Sequence, residues 1–190
     1  MKSVGSALAL SALVVGLAAL GYARWTREVT AADAALARGD VGAALIAYAA
    51  AERRFDRLPA ARQVFRAEYE RLISNQLWAL YDAQRFDDTI DKASDAPEGA
   101  APHFWTGCAL FAKAGREEDA EARLGWLTRA EDEFRRALAS APDDWDTKVN
   151  FELTTRVLAD LRKQPKAPPP QLLQLLRPPP VSTRPPRRVG

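Results

Sequence analysis

Ala44, Tyr48 and Ala51 lie four and three residues apart, and Ala130, Phe134 and Ala137 repeat that spacing. On a helix such steps put all three side chains on one face. The alanines let a second helix come close, and the ring fills the gap between the two rods. Such a face is of use only against another helix, so it predicts paired helices. Gly39 and Asp40 stand just ahead of the first face, where a tight turn between paired helices would fall. Pro142 follows the second and stops the chain from continuing as helix. Beyond the first segment there is almost no period-two alternation, so the expected class is all-α.

Ala-x3-Phe followed by proline is also the second-helix portion of the tetratricopeptide repeat (TPR), which the chain resembles in Ala130, Phe134, Ala137 and Pro142. The first hairpin is expected to have Thr30 as cap, a helix over residues 31–38, a break at Gly39-Asp40 and a second helix over residues 41–54. The middle unit is degenerate. Residues 64–83, with Phe65, Tyr69, Leu72, Leu77, Trp78 and Leu80, read as one long helix, followed by a short one over 87–93. The third unit pairs residues 103–114, with Trp105 and Phe111, with the Ala130 face; an insert, GREEDAEARLG, lengthens it. The second helices start from Ala44, Thr89 and Ala130, spacings of 45 and 41 residues, which favours TPR-like hairpins over a strict repeat.

Asp143 and Asp144 open a last helix, since carboxylates suit a helix N-terminus. Trp145, Val149, Leu153, Val157 and Leu161 form an apolar stripe on it. Repeat arrays need a terminal helix to cover the last unit, and this stripe is expected to do so.

The chain opens with VGSALALSALVVGLAALGY, residues 4–22, without a charge. As a helix it would be about 28 Å long, near the hydrocarbon thickness of a bilayer. Tyr22 and Trp25 suit its interface. Residues 1–27 are expected to be an uncleaved transmembrane anchor or a cleaved signal segment, with the body, residues 28–163, in a bacterial periplasm at the inner membrane.

Residues 164–190 hold nine of the thirteen prolines, five basic residues and no acidic one. Such a tail cannot bury a core and is expected to be extended or disordered. Residues 1–163 are left with 22 basic and 25 acidic residues, a net of −3, which gives no support to nucleic-acid binding. Within the tail QLLQLLR concentrates Leu172, Leu173, Leu175 and Leu176 ahead of Arg177. These leucines either cover the protein's own surface or present a docking peptide to a partner groove; lipid is a third candidate surface.

Catalytic chemistry is sparse. His103 is the one histidine and Cys108 the one cysteine, and on a helix they stand about 140° apart. A triad would have to use this His, with no supporting motif. No phosphate-binding or dinucleotide fingerprint occurs. Asp144-x-Asp146 begins like a calcium loop, but Lys148 takes the next ligand position and Val149 stands where glycine is needed. Glu117, Glu118, Asp119 and Glu121 read as a solvated helix start. No catalytic residue, metal site or cofactor is expected.

With these parts in place, the chain resembles the MxaK-like accessory proteins of bacterial methanol-oxidation clusters. The resemblance lies in "APDDWDTKVNFELTTRVLADL" and "LLRPPPVSTRPPRRVG", together with the size and the first segment. The "WDTKVNFE" element is also similar to the end of TPR proteins that work beside von Willebrand A-domain proteins and a MoxR-type ATPase. The resemblance implies a non-catalytic scaffold in the maturation, including calcium loading, of periplasmic methanol dehydrogenase. Within such a scaffold Asn150 is expected to face either a bound segment or plain solvent. An adaptor for envelope or cell-wall machinery unrelated to methanol is the second reading.

Overall fold

The computed structural model describes residues 2–163, except for the side chains of residues 2–9, 18 and 25. The proline-rich tail therefore lies outside the described residues. Among the described residues eight helices follow in order: α1 (Lys2–Ala37), α2 (Val41–Arg57), α3 (Ala60–Val64), α4 (Arg66–Asp82), α5 (Phe86–Ser94), α6 (Ala100–Arg116), α7 (Ala120–Ser140) and α8 (Trp145–Lys163). Among the described residues there is no strand.

The helices stack as antiparallel pairs. The end of α1 pairs with α2, α4 with α5 and α6 with α7, while each new first helix leans on the pair before it. Thr26, Val29, Ala32, Ala35 and Leu36 form the buried face of α1, and Ala44, Tyr48, Ala51 and Phe55 that of α2. The turn between them works as its residues dictate. Gly39 has φ +76°, the left-handed conformation that glycine adopts most cheaply. Asp40 then caps α2, its carboxylate accepting from the Ala43 N–H at 3.0 Å.

The core is a ladder of overlapping clusters. Trp105 packs against both the core of the first two hairpins and the cluster around Phe134. Its ring lies 5.5 Å from Tyr81 and 5.0 Å from Phe104, which in turn lies 6.1 Å from Phe134. This solves the problem of the middle unit. Thr89, fully buried, takes the place of Ala44 and Ala130, but Ala93 stands where the other two units have a ring. Trp105 packs against the cluster containing Ala93, so the next hairpin supplies the missing bulk.

Several expected boundaries move. Thr30 does not cap a helix: α1 is a single 36-residue rod, and the Thr30 hydroxyl donates to the Thr26 carbonyl one turn back. A Thr caps only where the chain before it leaves the helix, and no breaker precedes it here. The helix expected over residues 64–83 is α4, which starts two residues later, after Phe65 at φ −112° and ψ 46°, and the short α3 precedes it. That kink sets the Phe65 ring 5.9 Å from Tyr22. The insert is mostly helix, because α6 runs to Arg116 and Asp119 caps α7 by accepting from the Ala122 N–H.

The expected apolar stripe of α8 packs only at its C-terminal end, where Val157 and Leu161 lie against the cluster of Ala114, Leu127 and Leu158. Trp145, Val149 and Leu153 are 73%, 47% and 46% exposed, whereas Thr147, Thr154 and Leu158 are buried. Both threonines satisfy their hydroxyls locally. Thr154 donates to the Asn150 carbonyl at 2.7 Å, and Thr147 donates to the Asp144 carboxylate that also caps the helix. With the hydroxyls occupied, their methyl groups behave as core.

Among the described residues no helix is long and apolar enough to cross a membrane. The apolar run at residues 4–22 falls in part on residues 4–9, whose side chains lie outside the described ones. From Leu10 to Leu20 its leucines and valines are exposed.

His103 joins three parts of the third hairpin. Its Nε2 lies 2.8 Å from Glu98 in the α5–α6 connection and its Nδ1 2.7 Å from Glu133 on α7. Burial alone would lower the imidazole pKa, but hydrogen bonds and charge from both carboxylates outweigh it and the net shift is upward.

Two outcomes are expected. Trp105→Ala should lower stability by about 3 kcal/mol in urea unfolding followed by far-UV circular dichroism; a loss below about 1 kcal/mol would mean that Trp105 does not bridge the clusters. The raised histidine pKa means that its stabilising effect is complete below about pH 6.5 and fades as pH rises through the folded value. The melting temperature of the native chain should therefore exceed that of His103→Gln most at about pH 6, and the gap should narrow towards about pH 9. A pH-independent gap would contradict the assignment.

Candidate functional site

The repeat-packing residues lie inside the array and are not free to bind. Ala44, Tyr48 and Ala51 are buried on α2, and Ala130, Phe134 and Ala137 on α7; Pro142 is exposed in the turn after α7. The Tyr48 hydroxyl donates to Asp33 Oδ1 at 2.7 Å, the Asn75 amide donates to the same oxygen at 2.9 Å, and Arg71 lies 3.4 Å from Asp33 Oδ2. One carboxylate of α1 thereby ties α2 and α4 together. Burial first, and the Asp33 hydrogen bond second, push the Tyr48 pKa up and keep it a neutral donor.

Surface depressions lie between hairpins. One, of about 240 Å³, is lined by Arg66, Glu70, Ile73, Ser74 and the residues from Pro97 to Pro102. It adjoins a second recess of about 370 Å³ that shares Arg66, Glu70 and Pro97 and adds Arg62, Tyr69 and Asp95. On another surface, Gln84, Phe86, Asp87, Lys113, Arg116 and Trp126 line a recess of about 410 Å³. Here Lys113 stands 4.4 Å over the Trp126 ring and Arg116 4.5 Å over Phe86. Lys113 is paired with Asp87, and Arg116 donates to Gln84 Oε1 at 2.6 Å. These recesses are shallow, mixed in charge and held by internal pairs. They can meet another protein's surface, and no histidine or cysteine lines them.

Cys108 is buried, and burial, chiefly, pushes its thiol up to about 12. A thiol held protonated is a poor nucleophile. Both ring nitrogens of His103 are engaged by carboxylates, on the hairpin and not in a recess. Among the described residues no three His, Cys, Asp or Glu side chains stand together as a metal site.

Asn150 is half-buried, and its amide donates at 2.8 Å to the Asp146 carbonyl of its own helix. It is not brought together with either recess. Leu172, Leu173, Leu175, Leu176 and Arg177 lie outside the described residues. Two contributors were not singled out in the sequence. Asp33 needs the fold to meet Tyr48 and Asn75. Gly107 did leave a signal: a glycine inside a helical run costs about 1 kcal/mol against alanine and so often marks a close approach. A Cβ at Gly107 would lie 2.7 Å from Cε1 of Phe134.

Comparison with known proteins finds no matching family model and no matching curated protein. Among solved structures, the chain is similar to the NMR structure of the first TPR domain of the human RPAP3 protein, with a TM-score of 0.54 and 14% sequence identity. The match covers 75% of this chain and 98% of that one. At this identity the likeness is one of fold: the described residues form an all-helical, TPR-like array.

Proposed function

We propose that this chain is a non-catalytic, membrane-anchored adaptor that holds protein partners during the assembly or maturation, calcium loading included, of periplasmic methanol dehydrogenase. The observation that carries the adaptor reading is the TPR-like stack, whose polar side chains are left to its outer surfaces and whose small and aromatic ones are spent on packing. The anchor reading is supported by α1. Its body end is built into the first hairpin, and Leu10, Leu13, Val14, Val15, Leu17 and Leu20 upstream are exposed. A helix apolar all round suits lipid better than water.

Polar contacts tie the two parts together. Arg54 of α2 donates to the Arg24 carbonyl at 2.9 Å and pairs with Glu28 at 2.6 Å, while the Tyr22 hydroxyl donates to Glu68 of α4 at 2.6 Å. Inserted in the inner membrane, α1 would hold the array on the periplasmic side. The methanol-oxidation assignment is supported by the family resemblance of "APDDWDTKVNFELTTRVLADL" and of the tail. The partners it suggests are von Willebrand A-domain proteins, MoxR-associated maturation proteins and the dehydrogenase itself.

Deleting the gene should leave the dehydrogenase present in normal amount but low in bound calcium and in activity. Metal analysis of the purified enzyme checks this, and full calcium content in the deletion strain would reject the role.

A further inference from the structure

Each hairpin of the array follows one rule of contact. The first helix of a pair leans on both helices of the preceding pair, as α4 does on α1 and α2 and α6 does on α4 and α5; it then receives its own second helix. α8 obeys the first half of the rule, leaning on α6 and α7. Among the described residues nothing supplies the second half. Trp145, Val149 and Leu153 stand at i, i+4 and i+8 on the face left open.

The residues that follow α8 have matching chemistry. At 100° per residue, Leu172, Leu173, Leu175 and Leu176 fall within about 160° of arc on a helix, with Gln171, Gln174 and Arg177 on the remainder. The distances also fit. Leu153 lies about 15 Å back along α8 from its last residue. Residues 164–171, rich in proline, can span about 25 Å when extended. Seven residues are too few to hold a helix alone, so the open face of α8 would have to supply the order.

We propose that residues 171–177 dock in the same chain on the Trp145, Val149 and Leu153 face of α8, as a short second helix that closes a fourth hairpin. The exposed part of the stripe is then the seat of the leucines, while Val157 and Leu161 cover the third hairpin. This places Leu172, Leu173, Leu175 and Leu176 against their own array and leaves the surfaces of the three hairpins to partners.

The test uses the full chain in lysates of expressing cells, with Cys108→Ser, Leu153→Cys and Leu172→Cys. A short bismaleimide should link the two new cysteines within one chain, seen as a linked peptide from the monomer band. Adding Leu173→Ser, Leu175→Ser and Leu176→Ser should cut the yield by about tenfold, because the apolar contact that holds the segment is gone. No linkage, or a yield that ignores the serines, would overturn the proposal. Linkage between two chains would also overturn it, since a second copy would then be the occupant.

Discussion

Two helices can bring their backbones close only where one gives up a side chain, and α6 does so at Gly107 under the ring of Phe134. The same bargain recurs where Ala44 and Ala51 flank Tyr48, and where Ala130 and Ala137 flank Phe134. Close approach lets each ring fill the space that the small residues open, at the near-crystalline density of protein interiors. Where the pattern lapses, at Ala93, Trp105 crosses over from the next hairpin. The stack is therefore cooperative between neighbours, which is how repeat arrays gain stability.

Polar groups follow the same division. Tyr48, Asn75 and Arg71 converge on Asp33, and His103 is held between Glu98 and Glu133. The Asp33 contacts fix how the first two hairpins sit on one another, and those of His103 tie the third hairpin to the connection that enters it. The charged pairs elsewhere are mostly exposed, such as Arg66 with Glu70 and Arg156 with Glu152, and exposed pairs add little to stability. What remains for function is surface: shallow recesses between hairpins, a rod of exposed apolar residues at one end and the open face of α8 at the other.

Much of this was legible in the residues themselves. Spacing identified the faces of α2 and α7, because burial against one neighbour leaves a simple period. Gly39 with Asp40, and Asp144, announced their turns through conformations and caps that few other residues provide. The misreadings have physical causes. Periodicity treats threonine as polar, so it took Trp145, Val149 and Leu153 into the packed stripe with Val157 and Leu161, although Thr147 and Thr154 satisfy their hydroxyls at the start of and within α8 and are the buried residues there with Leu158. Thr30 looked like a cap because its hydroxyl can accept from backbone N–H groups, but within the continuous α1 it donates to the Thr26 carbonyl instead. The kink at Phe65 and the meeting at Asp33 depend on residues far apart in the chain, which no local pattern encodes.

The central claim is that a small residue facing a ring sets the helix separation, and a double-mutant cycle at Gly107 and Phe134 tests it most directly. Gly107→Ala should destabilise the native chain by about 1–3 kcal/mol, since the added methyl enters a filled space. In a Phe134→Leu background the same change should be neutral or stabilising, because alanine favours helix over glycine by about 1 kcal/mol. Equal costs in the two backgrounds would show that the ring does not set the spacing and would contradict the account.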